Sequence, residues 1–168
     1  MNLFFRILAV VPFLASLNSC ANWGKAPVHP GQIESEVISS LGQPTHVYPD
    51  GASHLLEYMH GRMGQTTYLA RIGPDGKLVS YDQVLTSQMF GTIRIGEADK
   101  DKVLRTVGAP SETRFYTLSQ LEAWSYPFKE SGVWDSLMSV YFDKTGIVRK
   151  LESGPDPMRN PDGRGRHR

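Results

Sequence analysis

Histidine side chains are the first candidates for chemistry in this sequence, because His46, His54 and His60 share the parity of one strand face. An imidazole cluster on such a face could bind a transition metal, whose ligand bonds are about 2 Å long. His54 and His60 on one strand would nevertheless lie roughly 20 Å apart, at about 3.3 Å per residue. The spacing therefore predicts no metal site, although strand pairing could bring two of the histidines together.

Carboxylates are the next candidates, since Glu34, Glu36 and Glu57 could in principle form the pair that general acid–base catalysis needs. Their spacing gives no indication of such a pair, and solvation on a helix surface is the ordinary explanation. The sequence also contains no Gly-Xaa-Ser-Xaa-Gly nucleophile elbow, no phosphate-binding loop and no cysteine–histidine pair. We therefore predict that the protein is not an enzyme and that it binds no cofactor.

Aromatic side chains could instead form a protein-binding surface, because tryptophan and tyrosine often dominate the binding energy of protein interfaces. Trp124, Tyr126 and Phe128 alternate along the chain with other residues, and Tyr58 belongs to a similar apolar segment. This pattern favours a buried sheet face, with an exposed binding face as the alternative. The candidate protein-binding residues are accordingly Tyr58, Trp124 and Tyr126.

An internal repeat supplies the elements that would position these residues. The segment from Val37 to Pro44 reappears from Val103 to Pro110, an offset of 66 residues. In each copy, apolar residues at helical spacing precede Gly42 or Gly108, and a proline follows two residues later. A glycine in this position caps a helix, and a proline cannot continue it, so each copy predicts a short helix.

The second copy is longer than the first. Leu55 matches Leu121, and Tyr58 matches Trp124, at the same offset of 66 residues, whereas Gly76 and Gly146 are 70 residues apart. We therefore expect four extra residues in the second copy, in the loop from Lys129 to Asp135.

Strands follow each predicted helix. The stretches 124–128 and 138–142 alternate with the two-residue period of half-buried strands. The segments 73–76 and 143–146 predict hairpin turns, so the strands on either side of each turn should pair antiparallel.

The predicted fold class is α+β, with two tandem units that each consist of a helix and an antiparallel sheet. The first unit spans 31–90 and the second spans 91–153. Because units of about 65 residues bury too little surface alone, we expect the two to share or abut their cores.

The N-terminus has the order of an export signal. Arg6 is followed by an apolar run from Ile7 to Leu17. The run is shorter than the roughly 20 residues that a membrane-crossing helix needs, which favours a removable signal. A buried N-terminal helix is the alternative.

The segment from Leu17 to Cys20 resembles the lipobox of bacterial lipoproteins. In those proteins the cysteine carries diacylglycerol and becomes the acylated N-terminus after cleavage, and more than one acyl chain gives stable anchoring. The resemblance implies a signal peptide over 1–19, lipidation of Cys20 and a tether over 20–30. Because Ala21 stands where an aspartate would argue for inner-membrane retention, it implies the outer membrane. An unmodified thiol is the alternative.

Composition excludes some partners. The formal net charge is +1, with 40% apolar and 21% charged residues, so the chain has a globular composition and lacks a broad basic face. We therefore predict no binding to nucleic acid. Residues 154–168 combine prolines, glycines and arginines and are predicted to be a disordered basic tail. The tail would either touch anionic lipid or only improve solubility.

With the lipobox, the helix exits, the aromatic strand and the hairpin turns, the chain resembles the BamE (SmpA/OmlA) family of outer-membrane lipoproteins. The resemblance spans Gly31 to about Gly76, and Gly96 to about Leu151. It implies an accessory or scaffold of the outer-membrane β-barrel assembly machinery, attached by lipid at the periplasmic face. The tandem arrangement also resembles the β-lactamase inhibitor protein, which implies, as the alternative, an inhibitor-like or scaffold module that binds a soluble envelope enzyme.

Overall fold

The computed structural model describes residues 28–61 and 64–159. The helices are α1 (Glu34–Leu41), α2 (Ser87–Phe90) and α3 (Lys100–Val107). The strands of the first half are β1 (His46–Asp50), β2 (Ser53–His60), β3 (Thr66–Ile72) and β4 (Leu78–Gln83). Those of the second half are β5 (Glu112–Tyr116), β6 (Leu121–Glu130), β7 (Trp134–Phe142) and β8 (Val148–Pro155).

The strands form two four-stranded antiparallel sheets, in which neighbours in sequence are neighbours in space. The first sheet has the order β1-β2-β3-β4, and the second has the order β5-β6-β7-β8. Every pair within them is antiparallel.

The predicted α+β class, with two tandem helix-plus-sheet units, is wrong, because the described chain is mostly β. The helices α1, α2 and α3 contain only 8, 4 and 8 residues. The error has a physical source. A glycine and a proline mark where a helix ends but carry no information on its length, and a helix of about two turns contributes far less structure than four paired strands.

The predicted helix ends are confirmed. Gly42 and Gly108 follow α1 and α3 with φ of +92° and +84°, and each donates its N–H to a carbonyl oxygen four residues back. At the start of α3, the Asp99 side chain accepts a hydrogen bond from the Lys102 N–H. No side chain caps the start of α1, which begins after Ile33.

Both predicted hairpin turns are also confirmed, at 73–76 between β3 and β4 and at 143–146 between β7 and β8. The four extra residues, however, do not all lie between Lys129 and Asp135. The β1–β2 connection has two residues (51–52), and the β5–β6 connection has four (117–120), so two of the extra residues lie there. Consequently, Trp124 corresponds to Leu56 in the strand register and not to Tyr58. Leu56 pairs with Val47 of β1, and Trp124 pairs with Thr113 of β5.

The first core lies between α1 and one face of the first sheet. Val37 of α1 is fully buried there. The other buried members of this core are Val28, Leu56, Tyr58, Ala70, Ile72 and Leu78. Val28 belongs to the predicted tether, so at least this part of the tether packs against the folded chain.

The second core lies between α3 and one face of the second sheet. The aromatic members that the sheet contributes are Trp124, Tyr126, Phe128 and Phe142, and α3 contributes Val103 and Val107. The segment that connects the two sheets also contributes, since Leu85, Phe90 and Ile93 are buried in this core. The Phe90 ring packs edge-on at 5.7 Å from Tyr126 and 5.3 Å from Phe128. The connection is therefore an integral part of the second core.

The predicted signal peptide, Cys20, most of the tether and residues 160–168 of the basic tail lie outside the described residues. The start of the predicted disordered tail is ordered, because β8 extends to Pro155. Asp156 is buried, and its backbone N–H donates to the Asp135 carbonyl oxygen at 2.9 Å. In the part of the chain that is described, no helix has the length and apolar character needed to cross a bilayer.

Candidate functional site

The three residues predicted to bind protein lie in the interior. Tyr58, Trp124 and Tyr126 are 2%, 8% and 1% exposed. The Tyr126 hydroxyl donates to the Gly108 carbonyl oxygen at 3.3 Å, which fixes the exit of α3 against the second core. These side chains therefore form a buried sheet face, and they are not accessible to a protein partner.

The three histidines make separate contacts. His46 Nδ1 lies 3.0 Å from Glu57 Oε2, and His54 Nε2 lies 3.1 Å from Glu34 Oε1. The His60 ring packs edge-on against Tyr68, with 6.0 Å between centroids. Across residues 28–61 and 64–159, no group of three or more histidine, cysteine or carboxylate side chains is arranged to hold a metal ion.

Glu57 is the one fully buried acidic side chain among the described residues, and it joins the two halves of the chain. Its Oε2 accepts from the Tyr48 hydroxyl at 2.5 Å and lies 3.0 Å from His46 Nδ1. Its Oε1 accepts from the backbone N–H of Ala109, in the second half, at 3.0 Å. We call the sheet face that carries Glu57, opposite the first core, the rear face of the first sheet.

Gly108 makes this contact possible. A Cβ at this position would lie 2.6 Å from Glu57 Oε1 and 2.9 Å from Thr67 Cγ2, closer than real contacts allow. The positive φ of +84° at Gly108 adds a second requirement for glycine. The exit of α3 therefore presses its backbone directly onto the rear face of the first sheet.

The hydrogen bonds of Glu57 connect the first half of the chain to the second. Burial, followed by the hydrogen bond to Glu57, raises the pKa of Tyr48 well above its usual value, so its hydroxyl stays a donor to the carboxylate. Ala109 donates to the other carboxylate oxygen. Because a buried carboxylate needs such donors to offset its lost hydration, this arrangement ties the two halves together.

A cleft with a volume of about 360 Å³ lies beside this cluster, between the rear face of the first sheet and the helices α2 and α3. Leu55, Leu69 and Val84 form a buried apolar group next to it. The remaining lining residues are Arg71, Ser80, Asp82, Gln83, Thr86, Gln88, Met89, Arg105 and Thr106. The size is at the lower end of small-molecule sites.

The two arginines that line the cleft, one from each half of the chain, both contact Asp50. Arg71 Nη1 donates to Asp50 Oδ2, and Arg105 Nε from α3 lies 4.0 Å from Asp50 Oδ1. The hydrogen bond from Arg71 lowers the pKa of Asp50. The cleft lining includes the hydroxyls of Ser80, Thr86 and Thr106 and the carboxylate of Asp82, and it includes neither histidine nor cysteine.

Exposed aromatic side chains are confined to the second sheet within the described chain. Phe115 and Tyr116 at the end of β5 are 56% and 42% exposed, and Trp134 at the start of β7 is 70% exposed. Leu118 in the β5–β6 turn and Val133 beside Trp134 are exposed aliphatic residues. These positions are better placed to meet a partner than the aromatic residues predicted from the sequence.

Sequence reasoning overlooked the joint at Glu57 and the exposed aromatic residues. One signal was present: Glu57 interrupts an apolar segment between Leu56 and Tyr58, in a strand whose neighbours on both faces are buried. A strand that is apolar on both faces is covered on both sides, and an acidic residue within it must have partners. No pattern in the sequence identified those partners as Tyr48 and the Ala109 backbone.

Comparisons with known proteins do not identify a family for this chain. No protein-family model matches the chain, and no curated protein matches it. A DUF4309 family protein (YjgB) from Bacillus subtilis is similar to the chain in structure, with 12% sequence identity and a TM-score of 0.31. The similarity covers 79% of this chain and 84% of that protein.

Proposed function

We propose that this protein is a non-catalytic binding module, held by a lipid on Cys20 at the periplasmic face of the bacterial outer membrane. The observation that carries the binding role is the exposure of Trp134 and Val133 at one hairpin of the second sheet. Large exposed apolar side chains favour association, and tryptophan is enriched among residues that dominate binding energy. The lipobox at Cys20 supports the anchor.

The described polar clusters favour binding over catalysis. Glu57 is occupied by donors from both halves, and Asp50 is occupied by two arginines. Such fully engaged carboxylates support a structural role. The partner we propose is the outer-membrane β-barrel assembly machinery, on the strength of the lipobox and the helix-exit motifs quoted above.

The anchor is tested by Cys20→Ala. We expect the variant to lose lipid modification, which shifts the mature size, and to leave the membrane fraction on sedimentation of the envelope. An unchanged size and unchanged sedimentation would contradict the lipid anchor. Ser19→Gly, which retains a small residue before the cysteine, is the control for a general export defect.

The binding surface is tested with a photo-crosslinking residue at position 134, and with one at Val79 as the control. Val79 is also a highly exposed strand residue, but it belongs to the first sheet. We expect crosslinks from 134 to barrel-assembly proteins in intact envelopes, and their loss in a Trp134→Ala background with a nearby probe at Val133.

Two results would contradict the proposed partner. Crosslinks from 134 to one soluble envelope enzyme, with barrel-protein levels unchanged on deletion, would favour the inhibitor-like alternative. Equal crosslinking from position 79 would show that the second sheet does not provide the binding surface.

A further inference from the structure

The outer edges of the two sheets differ in how they are protected. β1 and β5 are the matching edge strands, and each pairs on one side only, with β2 and with β6, among the described strands. An edge strand presents free backbone N–H and C=O groups that can pair with another strand, so proteins block such edges with proline or charge. β1 contains Pro49, and β5 has Phe115 at the same place in the register.

The backbone of β5 is therefore open where that of β1 is blocked. Residues of an antiparallel strand alternately direct their N–H groups toward the neighbouring strand and away from it. Pro49 lies within a paired strand and has no N–H, so its position is one that faces outward. By the same register, Thr113 and Phe115 direct their N–H groups outward from β5. All five residues of β5 are exposed.

The charges of β5 match a second copy of the same strand. Glu112 and Arg114 lie on one face of β5, with Arg114 Nη2 3.0 Å from Glu112 Oε1. If two β5 strands pair antiparallel about a two-fold axis at Thr113, Glu112 of each copy lies opposite Arg114 of the other. Directly opposite charges stabilise a strand pair, and like charges destabilise it.

Backbone hydrogen bonds fit the same register. The two Thr113 residues at the axis would exchange N–H to C=O bonds, and each Phe115 N–H would meet the Ser111 carbonyl oxygen of the other copy. The Ser111 N–H is already engaged, since it donates to the Ser125 carbonyl oxygen at 2.9 Å. The pairing thus uses the groups that the chain leaves available.

We propose that the β5 edge is a self-association site, at which a second copy of this chain adds its own β5 strand to make one continuous eight-stranded sheet. The interface is isologous, because each copy offers the same surface. A pair of five-residue strands is small beside the roughly 1,600 Å² of a stable complex, so a weak, concentration-dependent dimer is expected. This proposal is independent of the partner proposed above, which contacts the Trp134 hairpin.

The charge register provides the sharpest test, by sedimentation velocity of the purified full chain over a range of concentrations. Arg114→Glu places like charges opposite each other twice, and we expect it to weaken the dimer about tenfold. Glu112→Arg combined with Arg114→Glu restores both pairs, and we expect the dimer to return to within about threefold of the unaltered chain. Arg149→Glu, on β8, is the control.

Two further variants test the backbone. Phe115→Pro removes an outward N–H at a position where β1 already tolerates Pro49, and we expect it to keep the fold and lose the dimer. Thr113→Cys places two thiols at the axis, where the Cα atoms of a hydrogen-bonded pair are about 5.5 Å apart, within disulfide range. We expect oxidation to link two copies through residue 113 and not through a cysteine at Val47.

Three outcomes would overturn the proposal. These are a chain that stays monomeric at every concentration, a double charge swap that does not restore association, and a Thr113→Cys chain that links to a different protein but not to itself.

Discussion

The two sheets differ most in one row of residues that crosses all four strands on the rear face, the face turned away from each sheet's own core. In the first sheet this row is His46, Glu57, Leu69 and Asp82, and in the second sheet the row at the same register is Glu112, Ser125, Ser139 and Glu152. The exit of α3 covers the first row, and Glu57 accepts its backbone. The centre of the second row is less covered, since Ser125 and Ser139 are half-buried whereas Glu57 and Leu69 are buried.

The same strand order and register occur in two different surroundings. A covered rear face carries a buried acceptor and apolar neighbours, because it must bind backbone donors without water. The less covered rear face carries small hydroxyl side chains, Ser125 and Ser139, at its centre. The ends of both rows are exposed and polar, with His46 and Asp82 in the first sheet and Glu112 and Glu152 in the second. The sequence changes at the positions where coverage changes, while strand order and register stay the same.

Removal of the Glu57 carboxylate should give the largest difference in stability between the two rows. We expect Glu57→Ala to lower the free energy of unfolding by about 3 to 5 kcal/mol, because it leaves the half-buried Ala109 N–H and Tyr48 hydroxyl without their acceptor and leaves a cavity at a fully buried position. Ser125→Ala, at the same register position of the less covered face, should change it by less than about 0.5 kcal/mol. Urea denaturation measures both, and equal effects would show that coverage does not matter.

Substitution of the two glycines that end α1 and α3 should also affect stability by different amounts. Gly42→Ala and Gly108→Ala both place a side chain at positive φ, but only the second meets Glu57 and Thr67. We expect about 1 kcal/mol of destabilisation at position 42 and about 2 to 4 kcal/mol at position 108, from strain and overpacking together. Thermal denaturation of the two variants is the measurement, and a larger loss at Gly42 would contradict the role of close approach.

High pH should weaken the first core through Tyr81. Burial raises the pKa of this tyrosine to about 12, from an ordinary value of 10.0. The folded chain then holds its proton more tightly, so this contribution is complete below pH 10 and is lost as the pH rises toward 12. The matching position of the second sheet is Leu151, which does not titrate.

We therefore expect the free energy of unfolding to fall as the pH rises above 10. Tyr81→Phe should reduce the slope of stability against pH in that range. A slope that is unchanged in this variant would show that Tyr81 does not carry the effect.

The smallest expected effect is that of Asp50, which links Arg71 of the first half to Arg105 of the second. The Arg71 hydrogen bond lowers the pKa of Asp50, so its contribution is present above the ordinary aspartate value and is lost as the pH falls through the lowered one. Because these side chains are partly exposed, Asp50→Asn should cost at most about 1 kcal/mol at neutral pH. Denaturation at pH 7 and pH 3 is the measurement, and an equal loss of stability at both pH values would contradict the role of the Arg71 hydrogen bond.

Local signals in the sequence were sufficient to locate several elements. Gly42 and Gly108 end helices, and the Gly73 and Asp143 segments form hairpins, because each of these needs a backbone geometry that few residues adopt. Fold class was not accessible in this way, since the same glycine ends a helix of two turns or of five.

The site depended on contacts between distant parts of the chain, and the sequence contained no direct signal for them. Glu57 and Ala109 are 52 residues apart, and nothing in either segment identifies the other as its partner. The alternation of Trp124 and Tyr126 correctly indicated a strand with one apolar face. Periodicity alone could not decide whether that face met a helix or a binding partner, and burial by α3 and the connecting segment decided it.

The burial of Leu85 and Phe90 in the second core has a practical consequence for dividing the chain. A fragment that starts at residue 91 would leave a hole where these two side chains belong, and it would also lack the carboxylate that receives its helix exit. A fragment that starts at Val84 would keep Leu85 and Phe90, but it would still lack Glu57, which accepts the Ala109 N–H. We therefore expect the two halves, expressed separately and then mixed, to fold to a greater extent than either half alone.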